Sequence, residues 1–216
     1  MWGNELPNSS TALADRLYLN DGKGKFTPTG QTLPAGKFES SSCVRANDFD
    51  GDGDQDLFVG IRIQPFLYGI PQSGYLLQND GKGNFSNASA TWAPELEKLG
   101  LITDMAWTDL DGDGKKDMVI VGEWMPVTVF YHKGKSFERA KNSTLAGLTG
   151  FWNTVKAQDL DGDGDDDLLL GNHGLNSRFK ATPGKPVSMA VNDFDQNGMP
   201  EQIISVFNGE DRKRVV

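Results

Sequence analysis

The sequence predicts an all-β chain built from about four repeats of a four-stranded antiparallel unit. Three observations carry that expectation. An acidic stretch, Asp48-Phe49-Asp50-Gly51-Asp52-Gly53-Asp54-Gln55-Asp56, returns at residues 109–117, at 159–167 and, in weaker form, at 193–201. A turn string, Asn20-Asp21-Gly22-Lys23-Gly24, set between short apolar runs, returns at residues 79–83 and in degenerate form at 132–136. The runs between these signals are short and rich in strand formers, with almost no helical period. Turn strings and acidic loops alternate, and the loops start 61, 50 and 34 residues apart. In an all-β chain, periods of that size point to propeller blades or a related array.

Taken in order, residues 1–15 read as a loop, with Pro7, Ser9 and Ser10 and no period. Arg16-Leu17-Tyr18-Leu19 then reads as a strand, and Lys25-Phe26-Thr27 as its return across the tight turn. Ser42-Cys43-Val44-Arg45-Ala46 enters the first acidic loop, Leu57-Phe58-Val59-Gly60 leaves it, and a hairpin from Tyr75 to Phe85 completes four strands. The second unit repeats this grammar and ends in the hairpin from Val127 to Phe137. One helical turn is expected at Glu95-Leu96-Glu97-Lys98-Leu99, after Pro94. The last interval is too short for a regular unit, so residues 171–186 are expected to form an irregular connection. Residues 16–216 read as a single array with partial units at both ends.

The acidic loops have the chemistry of calcium sites. Calcium takes six to eight oxygens at roughly 2.3 to 2.6 Å, so a short loop must curl its oxygens around one point. Positions 1, 3, 5 and 9 supply side chains: Asp48, Asp50, Asp52 and Asp56; Asp109, Asp111, Asp113 and Asp117; Asp159, Asp161, Asp163 and Asp167; Asp193, Asp195, Asn197 and Glu201. Position 7 is Asp54, Lys115, Asp165 or Met199. An ammonium or a thioether cannot serve calcium, so the expected ligand there is the backbone carbonyl. Position 6 is glycine throughout, as a sharp turn requires. Position 2 is Phe or Leu, expected to point into a core. Three calcium sites are expected, with a fourth at residues 193–201, where Gln196 replaces a glycine and Asn197 a carboxylate. An EF-hand would need flanking helices and a glutamate at position 12. Val59, Ile120, Leu170 and Ile204 stand there instead. A phosphate loop is excluded because the Gly-Lys-Gly strings lack the longer glycine loop and following helix.

Charge and composition narrow the function. The 216-residue chain has a net charge of -9, but 18 of its 30 acidic residues lie in the four loops. Elsewhere Lys and Arg outnumber acids, and four calcium ions would bring the total to about -1, so the acidity belongs to metal sites rather than to a cationic partner. Nucleic acid is not an expected partner, since Arg212-Lys213-Arg214 is the sole basic run and sits at an end expected to fray. No stretch is long and apolar enough to span a bilayer, and residues 1–10 do not read as a signal peptide. Cys43, the one cysteine, reads as a small buried residue. Because calcium is abundant outside cells and scarce in the cytosol, the loops favour an extracellular or cell-envelope location. The sequons at Asn8, Asn84, Asn87 and Asn142 are compatible with it.

At these loops and hairpins, over roughly residues 16–205, the chain resembles the FG-GAP/VCBS repeat proteins. Their calcium loops read Asp-x-Asp-Gly-Asp-Gly-x-x-Asp within β-propeller blades, as in integrin α-subunits. Gly122-Glu123-Trp124-Met125-Pro126 and Gly171-Asn172-His173-Gly174-Leu175-Asn176 are similar to segments of bacterial relatives in the ASPIC/UnbV and cartilage acidic protein group. The resemblance implies a propeller, and adhesion or binding of a protein or glycan at the cell surface. It also implies about seven blades, close to twice this length. The chain is therefore expected to be part of a larger propeller whose open edges promote self-association. The alternative is a four-bladed ring in which residues 16–27 pack against 188–205.

Two functional classes compete. The favoured one is a calcium-stabilised binding module that does not catalyse. The other is part of a polysaccharide-degrading enzyme. His132 and His173, the only histidines, fall in no metal or catalytic spacing, and no Gly-x-Ser-x-Gly elbow is present. The tryptophans, Trp2, Trp92, Trp107, Trp124 and Trp152, read as core packing before sugar contact. Ligand contacts are expected from loops on a rigid scaffold, at residues 65–74 and 172–184.

Overall fold

A computed structural model of the chain describes residues 13–33, 39–174, 176, 179–182, 184–208 and 211–215. Most of the expected N-terminal loop, together with Trp2, lies outside the described residues. The chain is all-β and its sheets are antiparallel. Strands β1 (Asp15–Asn20) and β2 (Phe26–Leu33) form the first hairpin. Blade 1 is β3 (Ser40–Asn47), β4 (Asp56–Ile63), β5 (Gly74–Asn79) and β6 (Phe85–Asn87), paired in chain order. Blade 2 repeats it with β7 (Leu101–Thr108), β8 (Asp117–Pro126), β9 (Thr128–His132) and β10 (Phe137–Arg139). Blade 3 contributes β11 (Thr149–Gln158) and β12 (Asp167–Asn172), and blade 4 contributes β13 (Ser188–Asn192), β14 (Glu201–Asn208) and β15 (Asp211–Val215). The far end of β8 also pairs with the start of β11, Met125 standing opposite Gly150.

Four-stranded units are thus formed twice. Among the described residues blade 3 has two strands and blade 4 three, because residues 173–187 hold Gly174, Pro183, Gly184 and Pro186 and no alternating run. The basic run at 212–214 does not fray: its backbone lies in β15, in register with β14 from Asn208↔Asp211 to Ile204↔Val215. Asn208-Gly209 is a hairpin signal that the sequence reading passed over. The helical elements α1 (Ser89–Trp92), Pro94–Leu96 and Thr144–Gly147 are each about a single turn. The expected turn at 95–99 begins at Pro94, and Glu97 is already extended. The two ends do not join into one shared blade, since β1–β2 and β13–β15 are separate sheets.

The blades stack through their inner strands, with β7 packed against both β3 and β11. One core, including Phe49, Phe58, Ile102, Met105 and Phe130, lies between blades 1 and 2. A second, with Ala106, Val119, Val121 and Val155, lies between blades 2 and 3. The first hairpin sets Leu17 and Leu33 against Val59, Ile61, Tyr75 and Leu77 of blade 1. Strands β3, β7 and β11 each carry a bulge. In two of them a hydroxyl reaches the next blade: Ser42 Oγ donates to Ile102 O at 2.7 Å and Thr103 Oγ1 to Trp152 O at 2.8 Å. Cys43 is buried, and loss of solvent pushes its thiol up to about 11, as expected of an unreactive packing residue.

Candidate metal centres

Each acidic loop joins the first two strands of a blade and folds on its own hydrogen bonds. Position 1 accepts two or more backbone N–H groups: Gly51 and Gly53 onto Asp48, Gly112 and Gly114 onto Asp109, Gly162 and Gly164 onto Asp159, and Asn197 and Gly198 onto Asp193. Position 5 accepts the N–H of position 7 in every copy, Asp52 from Asp54, Asp113 from Lys115, Asp163 from Asp165 and Asn197 from Met199. Positions 4 and 6 are left-handed throughout, with φ from +72° to +99° at the glycines. In the fourth loop Gln196 holds this conformation at φ +62°, which costs a residue with a Cβ roughly 1 kcal/mol. Gln196→Gly is accordingly expected to stabilise the protein by about 1 kcal/mol in a denaturant titration.

Side chains at positions 1, 3 and 9 converge. Ligand oxygens of Asp48, Asp50 and Asp56 lie within 4.8 Å of one another, as do those of Asp109, Asp111 and Asp117, of Asp159, Asp161 and Asp167, and of Asp193, Asp195 and Glu201. Oxygens bound to one calcium at roughly 2.4 Å stand at most about 4.8 Å apart, so the spacing fits such an ion. The first loop adds an orphan: Asp54 Oδ1 is buried with no hydrogen-bond partner. Loss of solvent, then the charges of Asp52, Asp50 and Asp48, raises the Asp54 carboxyl above its ordinary range. An oxygen-only donor set, convergent and self-repelling, can hold a hard divalent cation.

Position 9 has a second role that the sequence reading missed. Asp56 and Asp117 are fully buried. One oxygen of each accepts the position 2 N–H, from Phe49 at 3.1 Å and Leu110 at 2.9 Å. The other accepts an N–H from the hairpin of the same blade, from Asn79 and from His132, both at 2.8 Å. The carboxylate therefore clips the loop to the third strand. Burial pushes Asp56 up to about 6 against those hydrogen bonds, and raises Asp117 in the same direction. The hairpins also bring polar tips to the loops: Gln78 donates to Asp50, and Lys133 Nζ lies 3.0 Å from Asp111 Oδ2.

Position 2 follows expectation only in part. Phe49 is buried between blades 1 and 2, its ring 5.0 Å from Trp92 and 6.3 Å from Phe137, and Leu110 packs into the next core. Leu160 and Phe194 are exposed, because no following hairpin covers them among the described residues.

His132 is a packing residue: its Nδ1 accepts from Gly134 N–H, its Nε2–H donates to Phe49 O at 3.0 Å, and its ring meets Phe137 edge-on at 4.8 Å. His173 lies against Phe151 at 5.5 Å. The four described tryptophans are half-buried and pack on neighbours, Trp124 donating to Tyr68 Oη. Residues 65–70 are partly committed to the scaffold, since Tyr68 Oη donates to buried Glu123 and Tyr68 O accepts from Gln202 of blade 4.

No curated protein matches this chain. The FG-GAP-like repeat model matches three times, at residues 8–59, 66–120 and 109–170. Each match ends just beyond an acidic loop, and together they cover more than half of the chain. With convergent carboxylates between the first two strands of each unit and antiparallel blades stacked through their inner strands, the chain belongs to the FG-GAP-like repeat family.

Proposed function

We propose that this chain is a calcium-stabilised binding module of the cell exterior or envelope, recognising a protein or glycan without catalysing a reaction. The observation that carries the reading is the convergence of three carboxylates in each of four loops at one end of rigid blades. Calcium would be held by positions 1, 3, 5 and 9 and the position 7 carbonyl, and it would supply charge neutralisation to loops that otherwise set like charges face to face. Extracellular calcium would keep such sites filled. The engagement of both His132 nitrogens in packing supports a binding role over an acid–base one.

The second half of the 65–74 loop, with residues 87–98, lines a cleft of about 540 Å³ that includes Glu39, Gln72, Tyr75, Glu97 and Lys98. Its size and mixed polarity suit a short glycan or peptide segment. A glycan and matrix-protein array, read alongside a panel of polysaccharide and glycoside substrates, tests the reading with the calcium-loaded protein. Binding that falls with Glu97→Ala and Gln72→Ala is the expected result. Turnover lost with His173→Ala while the fold survives would establish the enzyme instead.

The loops should differ in affinity. Lys133 and Lys115 place positive charge on Asp111 and Asp113 of loop 2, at 3.0 and 3.3 Å, where blade 1 offers the neutral amide of Gln78. Removing that charge leaves the loop 2 carboxylates to the cation alone, so Lys133→Gln is expected to tighten calcium at loop 2, read as a lower dissociation constant by titration calorimetry.

A further inference from the structure

Equivalent positions in the three consecutive blades have unequal burial, and the inequality has a pattern. Phe58, Val119 and Leu169 each stand two residues after position 9, on the face turned toward the next blade. Phe58 and Val119 are 0% exposed, but Leu169 is 64% exposed. Position 2 behaves alike: Phe49 is 3% exposed and Leu160 65%. On the opposite face, Val44, Met105 and Val155 pair with Val59, Ile120 and Leu170, three residues after position 9. Met105 and Val155 are 0% and 4% exposed, but Val44 is 49% exposed. Blade 3 thus offers an uncovered front, and blade 1 an uncovered inner strand on its back, where the β1–β2 hairpin covers Val59, Ile61, Tyr75 and Leu77 but leaves Val44 exposed. Blade 4 does not fill the gap, as β13 meets the 65–74 loop at Gly69 through Met189 and Val191.

The edges match the faces. Strand β12 pairs only with β11, and β1 only with β2, among the described residues. In blade 1, Leu57, Phe58 and Val59 stand opposite Leu77, Leu76 and Tyr75 of β5. The string of β1 aligns with that of β5, so the same register sets Tyr18, Leu17 and Arg16 opposite Leu168, Leu169 and Leu170. Asp56 and Asp117 each receive a hairpin N–H, whereas Asp167 receives that of Leu160 alone among the described residues. Asn20 occupies the place in β1 that Asn79 has in β5.

We propose that copies of this chain associate head to tail, the free edge of β12 in one copy pairing with the β1–β2 hairpin of a second. Blade 3 of the first copy is thereby completed to four strands. Its front, through Leu160 and Leu169, then covers Val44 beside the hairpin on the back of blade 1 in the second copy, as Phe58 covers Met105 within one chain. The contact is heterologous, so it propagates or closes a ring rather than stopping at a symmetric dimer.

Sedimentation equilibrium of the calcium-loaded chain should show a mass that grows with concentration. Leu169→Lys and Val44→Lys change exposed side chains, and each should weaken association about tenfold or more. Leu148→Lys, an exposed apolar position outside both faces, should leave association unchanged, and circular dichroism should show all three variants folded. In a mixture of the Arg16→Cys chain with the Leu170→Cys chain, oxidation should give a covalent heterodimer, because antiparallel partners stand roughly 4.5 to 5.5 Å apart at Cα, within disulfide reach. A monomer at every concentration would overturn the proposal. So would association indifferent to both lysine variants, or association without the cross-link.

Discussion

Removing calcium is expected to lower the melting temperature more than any single substitution in the blades. A site held at a hundred times its dissociation constant contributes about 2.7 kcal/mol, and three or four sites act together. The chelated protein should then respond to acid in an unusual direction. Asp56, buried beside its loop, is pushed up to about 6 in the fold, whereas an unfolded aspartate titrates near 3.9. Between roughly pH 4 and 6 the folded state therefore binds more protons than the unfolded one, and by linkage stability falls as pH rises through that window. Chelated protein should be more stable at pH 5 than at pH 7, by about 1 kcal/mol. With calcium the order should reverse, since protons and the cation compete for the same oxygens. Paired thermal melts at the two pH values check both signs.

Asp104→Ala is the substitution expected to cost most. This buried carboxylate, on the inner strand of blade 2, accepts from groups in three blades. Arg45 of blade 1 pairs with it, and Met105 N–H donates at 2.8 Å. Thr154 Oγ1 of blade 3 donates at 2.7 Å and Val155 N–H at 3.1 Å. Alanine leaves at least one buried N–H without a partner and removes the anchor of a half-exposed guanidinium. The loss should be about 3 to 4 kcal/mol in a denaturant titration. Arg45→Ala should cost less, because Asp104 keeps three donors.

The parts of the fold written in local chemistry were legible in the sequence. The loops were, because a carboxylate at every second position with glycine at position 6 has few other uses. So were the first two hairpins, because Asn-Asp-Gly between apolar runs is a turn instruction. What failed was non-local. That Leu160 and Phe194 are exposed, although they repeat the pattern of Phe49, depends on whether a neighbouring hairpin covers them. No residue near them records it. The clip between Asp117 and His132 N–H was invisible because a backbone donor leaves no mark on residue identity. The inter-blade ties of Ser42 and Thr103 likewise arise from bulges, which strand patterning does not announce. Strand β15 was misread for the opposite reason: its signal, Asn208-Gly209, is local and was passed over.

The central claim is that the acidic loops are calcium sites on which the fold depends. Calorimetric titration of the chelated protein with calcium, followed by a melt at each ratio, tests it most directly. The account predicts at least three calcium ions per chain, with loop 2 weaker than loop 1 and the melting temperature climbing as the sites fill. Asp56→Asn should remove one of them. Titration heats no larger than those of dilution, with a melting temperature unmoved between chelator and saturating calcium, would contradict it.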